Sequence, residues 1–138
     1  MPRKIFVDTS AWYALMDKSD RHHEASWKIF PELIVRYEGL VVSNHVLGES
    51  YTLIRCALGH EAAWKFMNLV RQNAKVEKLF TPENLEQEAY AVLKKYADQD
   101  FSFVDAVSFV WMQALKIRDA FSFDKHFSIF GFVRIPEF

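Results

Sequence analysis

Two rhythms of apolar residues alternate along the chain, and their alternation sets the expected architecture. Short strand-like runs stand at "KIFVD", ending at Asp8, then at "LVVS", "VEKLFT", "DAFSF" and "FVRI". Longer stretches with helical spacing lie between them. "TSAWYALMDK" predicts a short helix after the first strand, followed by the polar loop "DKSDR". In "RHHEASWKIFPELIVRYEG" the residues Ala25, Ile29, Leu33 and Val35 recur at helical intervals, and Pro31 predicts a kink or a fresh helix there. Asn44 predicts the N-cap of a helix running to about Leu58 and closed by Gly59.

"EAAWKFMNLVRQNA" is amphipathic, and "PENLEQEAYAVLKKYAD" predicts a helix that starts at Pro82 and carries Lys94 and Lys95 at its negative pole. "DFSFVDAVSFVWMQALKI" is almost unbroken apolar sequence from Phe103 onward and predicts a buried helix, while "DKHFSIFG" predicts a short turn. Strands alternating with helices imply an α/β fold with a mostly parallel sheet, in one domain over residues 1–138. In such sheets ligands gather at the carboxyl ends of the strands.

Composition refines this picture modestly. Apolar residues make up 51% and charged residues 25%, as in soluble globular proteins. Thirteen Phe, four Trp and five Tyr predict a core rich in aromatic rings, with a partner-covered apolar surface as the second reading. Seventeen basic against eighteen acidic residues give no overall attraction for nucleic acid, although carboxylates gathered in one place could mask a basic rim. A single cysteine, Cys56, excludes an internal disulfide and a cysteine-rich zinc site, and its apolar helical setting predicts a small core residue. No apolar run reaches membrane-spanning length or resembles a signal peptide, so a cytoplasmic protein is expected.

The chemistry lies in four acids. Asp8 ends the first strand, Asp124 follows the strand "AFSF", and Glu49 sits just over one turn into the helix after "LVVS". Asp105 lies in the first turn of the most apolar helix, where an uncompensated carboxylate is costly. Each has a structural alternative. Asp8 and Asp124 suit helix caps, Ser102 with Asp105 fits a capping box, and Glu49 suits a solvated helix face. Glu49 has no Lys or Arg three or four positions away, and a cap leaves much of the Asp105 charge unanswered. A cation shared at one sheet edge would answer all four, and oxygen-only ligands favour a hard ion, Mg²⁺ or Mn²⁺.

"FVDTSAWYALMD", "SNHVLGESYTLI", "FSFVDAVSFVWM" and "AFSFDKHF" together resemble the successive motifs of PIN domains, in particular the VapC-type toxins of toxin–antitoxin pairs. The resemblance spans nearly the whole chain in the right order. It implies a three-layer α/β/α sandwich and an acidic quartet at Asp8, Glu49, Asp105 and Asp124. Asp8 and Asp105 would ligate Mg²⁺ or Mn²⁺ directly, Glu49 and Asp124 would complete the site, and Thr9 and Ser102 would supply supporting hydroxyls. The resemblance further implies endoribonuclease activity on RNA, a homodimer, and inhibition by a small VapB-like antitoxin protein. His126 matches the family's "DxHF" pattern and reads as a structural residue at a turn. Two alternatives are a DNA- or structure-specific nuclease of the same fold and a non-catalytic interaction module. Asp98 and Asp100 are extra acids beside the third motif, read as surface residues or as contributors to a second metal position. The helices bearing Trp12, Tyr13, Trp27 and Phe30 are the expected antitoxin surface.

Overall fold

The computed structural model describes residues 3–137. Elements follow the order β1 (Lys4–Val7), α1 (Thr9–Met16), α2 (His23–Arg36), β2 (Gly39–Ser43), α3 (Asn44–Leu58), α4 (His60–Gln72), β3 (Val76–Leu79), α5 (Glu83–Lys95), α6 (Phe103–Leu115), β4 (Asp119–Phe121), α7 (His126–Phe130) and β5 (Val133–Ile135). The five strands form one parallel sheet in the order β3-β2-β1-β4-β5, and the helices cover it as an α/β/α sandwich. Central position explains composition: Ile5, Phe6 and Val7 of β1 are fully buried, as are Ala120 and Phe121 of β4, while β3 and β5 at the edges are largely half-buried.

Register fixes what reaches the carboxyl edge. Phe6 pairs with Val41 and Val7 with Phe121, so Asp8, Ser43 and Ser122 emerge level with one another. Asp8 N–H donates to the Phe121 carbonyl at 3.0 Å, which ends the ladder at that edge. The core around Trp12, Phe6, Phe66, Phe109, Phe121 and Phe127 holds the sheet and helices together, and a smaller cluster of Leu85, Ala89, Ala106, Val107 and Val110 joins α5 to α6.

Several local expectations give way to packing. Helix α2 runs continuously through Pro31; Ser26, Phe30 and Leu33 on either side bury against the core, and the exposed ring of Pro31 sits on the outer face. The cap of α3 is Ser43, whose hydroxyl accepts from Val46 N–H at 3.2 Å. Asn44 instead ties the β3–α5 loop, accepting from the backbone and hydroxyl of Thr81. Cys56 is exposed because Val46, Ser50 and Ile54 define the buried face of α3 and Cys56 lies on the opposite one. The predicted turn at 124–131 contains the five-residue helix α7, since Phe127 and Phe130 pack on Phe109 with centroids 5.1 and 4.4 Å apart. Of the aromatic residues expected to form a partner surface, Trp12 and Phe30 are buried, Tyr13 is half-buried and Trp27 is 47% exposed. Among the described residues, no helix is long and apolar enough to cross a membrane.

Candidate active site

Asp8, Glu49, Asp105 and Asp124 all line one open cleft of about 1040 Å³ at the carboxyl edge of the sheet. Four different segments deliver them: the end of β1, the second turn of α3, the first turn of α6, and the loop after β4. Thr9 and Ser102 line the same cleft. Asp100 does so as well, whereas Asp98 is exposed and is not part of the lining.

Asp8 is 4% exposed and caps α1. Its Oδ2 accepts from the hydroxyls of Ser10 at 2.8 Å and Ser122 at 3.0 Å. Burial pushes the Asp8 carboxyl up to about 7; the Asp105 and Asp124 carboxylates push it the same way, and the two serine hydroxyls oppose them. Ser10 and Ser122 also stand 3.3 Å from each other and bind the next two backbone groups, Ser10 accepting from Phe123 N–H and Ser122 from Asp124 N–H. One hydroxyl pair thus locks the end of β1 to the loop that carries Asp124.

Asp105 is 7% exposed. The predicted capping box forms in full: Ser102 Oγ accepts from Asp105 N–H and Asp105 Oδ2 accepts from Ser102 N–H, each at 3.0 Å. A second donor reaches the same oxygen. His126 Nδ1 lies 2.9 Å from Asp105 Oδ2 and 3.4 Å from Asp124 Oδ1, so the imidazole bridges two carboxylates. Asp124 Oδ1 accepts the backbone N–H of His126 at 2.9 Å, which fixes the turn into α7. The Phe101 ring packs edge-on against His126 with centroids 5.2 Å apart. One ligand atom each from Asp105, Asp124 and His126 lie within 4.8 Å of one another, a spacing that could hold a metal ion. Glu49 is half-buried and has no ion pair among the described residues.

The charge inventory of the cleft decides what it can do. Six carboxylates line it (Asp8, Asp20, Glu49, Asp100, Asp105, Asp124) against three cations, Arg21, Lys125 and Arg134. Such a floor repels polyanions unless a bound cation offsets it, and the carboxylates of Asp105 and Asp124 add to the burial that suppresses ionisation of Asp8. A hard divalent ion fits this donor set.

A family profile described as PIN domain matches residues 5–133. The chain belongs to the PIN-domain family. Among similar PIN proteins, the 23S rRNA-specific endonuclease VapC20 of Mycobacterium tuberculosis is 37% identical over 137 residues, covering 96% of this chain and 99% of the relative. The VapC ribonuclease of Archaeoglobus fulgidus is 28% identical over 125 residues, with 89% of this chain and 78% of the relative covered. The crystal structure of the Mycobacterium tuberculosis VapC20, described as a sarcin–ricin loop cleaving toxin, matches with a TM-score of 0.87 at 36% identity over 94% of this chain and 96% of that one. The VapBC2 structure from Rickettsia felis, bound to a promoter DNA fragment, shares the fold at a TM-score of 0.70 and 10% identity, with 95% and 96% covered.

Within this PIN domain, sequence reasoning passed over two features of the cleft. His126 reads as a turn residue in the sequence, yet its imidazole touches two of the four acids. Ser122, 114 residues from Asp8, carries no local signal except its place just past the end of a strand. Thr9 was the expected supporting hydroxyl beside Asp8, but Ser10 makes that bond, and the buried Thr9 Oγ1 has no hydrogen-bond partner among the described residues.

Proposed function

We propose that this chain is a divalent-metal-dependent endoribonuclease and the toxin of a type II toxin–antitoxin pair. The observation that carries the reading is the convergence of Asp8, Glu49, Asp105 and Asp124 on one cleft whose buried acid resists ionisation without a cation. The relatives' names point the same way: one is called an rRNA-specific endonuclease and another a ribonuclease.

Asp8 and Asp105 hold Mg²⁺ or Mn²⁺, and Glu49 and Asp124 complete the site. A divalent ion bound there supplies a Lewis-acid centre that acidifies water near neutral pH and offsets charge on the phosphate and the leaving 3′ oxygen. The protein's own part is positional. Ser10 and Ser122 fix the Asp8 carboxylate, Ser102 and His126 fix that of Asp105, and the Asx turn at Asp124 sets the fourth acid. Thr9 and Ser102 line the cleft, and the Ser102 hydroxyl holds the first turn of α6 at Asp105 N–H. Arg21 and Lys125 at the rim approach the RNA backbone.

The active protein is a homodimer held in check by a small VapB-like antitoxin. Exposed Leu58, Trp64 and Leu69 on α3 and α4, with Trp27 on α2, supply apolar surface of the kind a partner covers. On this reading, expression of the chain alone is expected to arrest growth, and the purified protein with Mn²⁺ is expected to cut single-stranded RNA and spare DNA of the same sequence. A sarcin–ricin loop hairpin is the first RNA to try, given the described activity of the solved relative. Equal cutting of DNA would move the assignment to a DNA nuclease, and no cutting of any RNA would leave a binding module.

A further inference from the structure

At one wall of the cleft the rings of His22 and Phe123 lie parallel, 4.4 Å apart between centroids and 8° between planes. They come from separate parts of the chain, His22 from the loop between α1 and α2 and Phe123 from the loop between β4 and α7. Both are half-buried and both line the cleft that holds the four acids.

Each ring is held by its backbone. Phe123 N–H donates to Ser10 Oγ at 2.9 Å, and the ring packs edge-on against Phe121 at 6.0 Å. Phe123 therefore sits between Ser122, which binds Asp8, and Asp124. On the other side, Tyr13 O–H donates to Asp17 at 2.6 Å, Asp17 accepts from Ser19 N–H, and Asp20 accepts from His22 N–H at 3.0 Å. The loop is thus shaped before any ligand arrives. His22 Nε2 accepts from Arg21 Nε at 3.1 Å, which ties the ring to the neighbouring side chain.

A π surface next to an acidic floor discriminates between the parts of a nucleotide. The phosphate needs a cation to approach the carboxylates, whereas a base has no charge and gains from stacking. Single-stranded RNA is recognised by aromatic and histidine side chains on which unstacked bases lie. Resting on the ribonuclease reading above, we propose that His22 and Phe123 form a stacking site for the unpaired base of a nucleotide flanking the cleaved bond. Arg21, in line with His22, and Lys125, next to Asp124, lie where the adjoining phosphates pass.

The test is a double-mutant cycle between protein and substrate. The substrate is a short RNA that the wild type cuts at one mapped bond, made with its normal bases or with an abasic site at either flanking nucleotide. For the wild type, one abasic position lowers kcat/KM by about 5- to 150-fold, the range expected for one stacked base. His22→Ala lowers kcat/KM on normal RNA by a similar factor and loses nothing further on that abasic RNA. Phe123→Leu, which keeps apolar volume beneath the loop, follows the same pattern. His22→Phe restores most of what His22→Ala loses, as a role in charge or proton transfer would not allow. Multiplying effects of His22→Ala and the abasic site overturn the proposal, as does a wild-type rate for His22→Ala. A wild type that cuts no RNA overturns the ribonuclease reading and this proposal together; an active wild type with a failed cycle overturns stacking alone.

Discussion

Asp8→Asn is expected to stabilise the metal-free protein while abolishing its activity. The Asp8 carboxyl is pushed from an ordinary 3.8 up to about 7, chiefly by burial. At 1.36 kcal/mol per unit, this shift corresponds to about 4 kcal/mol by which the metal-free fold disfavours the ionised acid. Between about pH 4 and about pH 7 the folded chain keeps a proton that the unfolded chain has released. Stability is therefore greatest at the acid end of that window, falls as pH rises through it, and carries the full penalty above it. Asparagine removes the charge and keeps an acceptor for Ser10 and Ser122, but its amide must find acceptors of its own, which offsets about 1–2 kcal/mol. A net gain of about 2 kcal/mol at pH 8 in EDTA converts to roughly 8 °C in Tm for a chain of this size. Thermal melts followed by circular dichroism at pH 4 and pH 8, with and without Mg²⁺, read it out. The variant melts higher only at pH 8 without metal, and Mg²⁺ raises the wild type more than the variant. A variant less stable than wild type at pH 8 in EDTA, or an equal difference at both pH values, would refute the reasoning.

Three further outcomes follow from other contacts. His126→Ala weakens Mn²⁺ binding by about 10- to 100-fold in titration calorimetry, because Asp105 loses the group that orients it; unchanged affinity would confine His126 to the turn. Tyr37→Phe costs about 1–3 kcal/mol in urea unfolding and leaves cleavage intact, since the buried Asp119 carboxylate loses its 2.6 Å donor far from the acids. Cys56, exposed on α3, reacts with a thiol reagent in the native state at nearly the rate of the unfolded chain; strong protection would place it beneath a partner or in the core.

The sequence made legible what depends on neighbours in the chain. Runs such as "KIFV" and "LVVS" are buried on both faces and read as such, and the Ser102–Asp105 capping box is complete within four residues. Asp8, Glu49 and Asp124 were legible because strand ends point to one edge whatever the strand order, whereas Asp105, on a helix that follows another helix, was only compatible with that edge. Where two local signals competed, packing chose. Ser43 and Asn44 both suit a cap, and the loop after β3 claimed Asn44. Pro31 breaks helices in isolation, yet buried Phe30 and Leu33 carry α2 through it. Trp12 and Trp27 look alike in sequence, but only one faces the core. The bridges of Ser122 to Asp8 and of His126 to Asp105 join residues 114 and 21 positions apart, and no local pattern encodes them. The same holds for the His22–Phe123 pair.

Metal-dependent cleavage by the four acids is tested most directly at Asp105. The measurement is single-turnover cleavage of labelled RNA by purified wild type and Asp105→Asn, with Mn²⁺ or with EDTA. Asparagine keeps an acceptor for Ser102 N–H, so the helix cap persists while the charge is lost. The wild type cuts with Mn²⁺ and stops in EDTA, and Asp105→Asn, folded by circular dichroism, cuts at least about 100-fold more slowly. Cleavage that continues in EDTA, or an Asp105→Asn rate equal to wild type, would contradict the account.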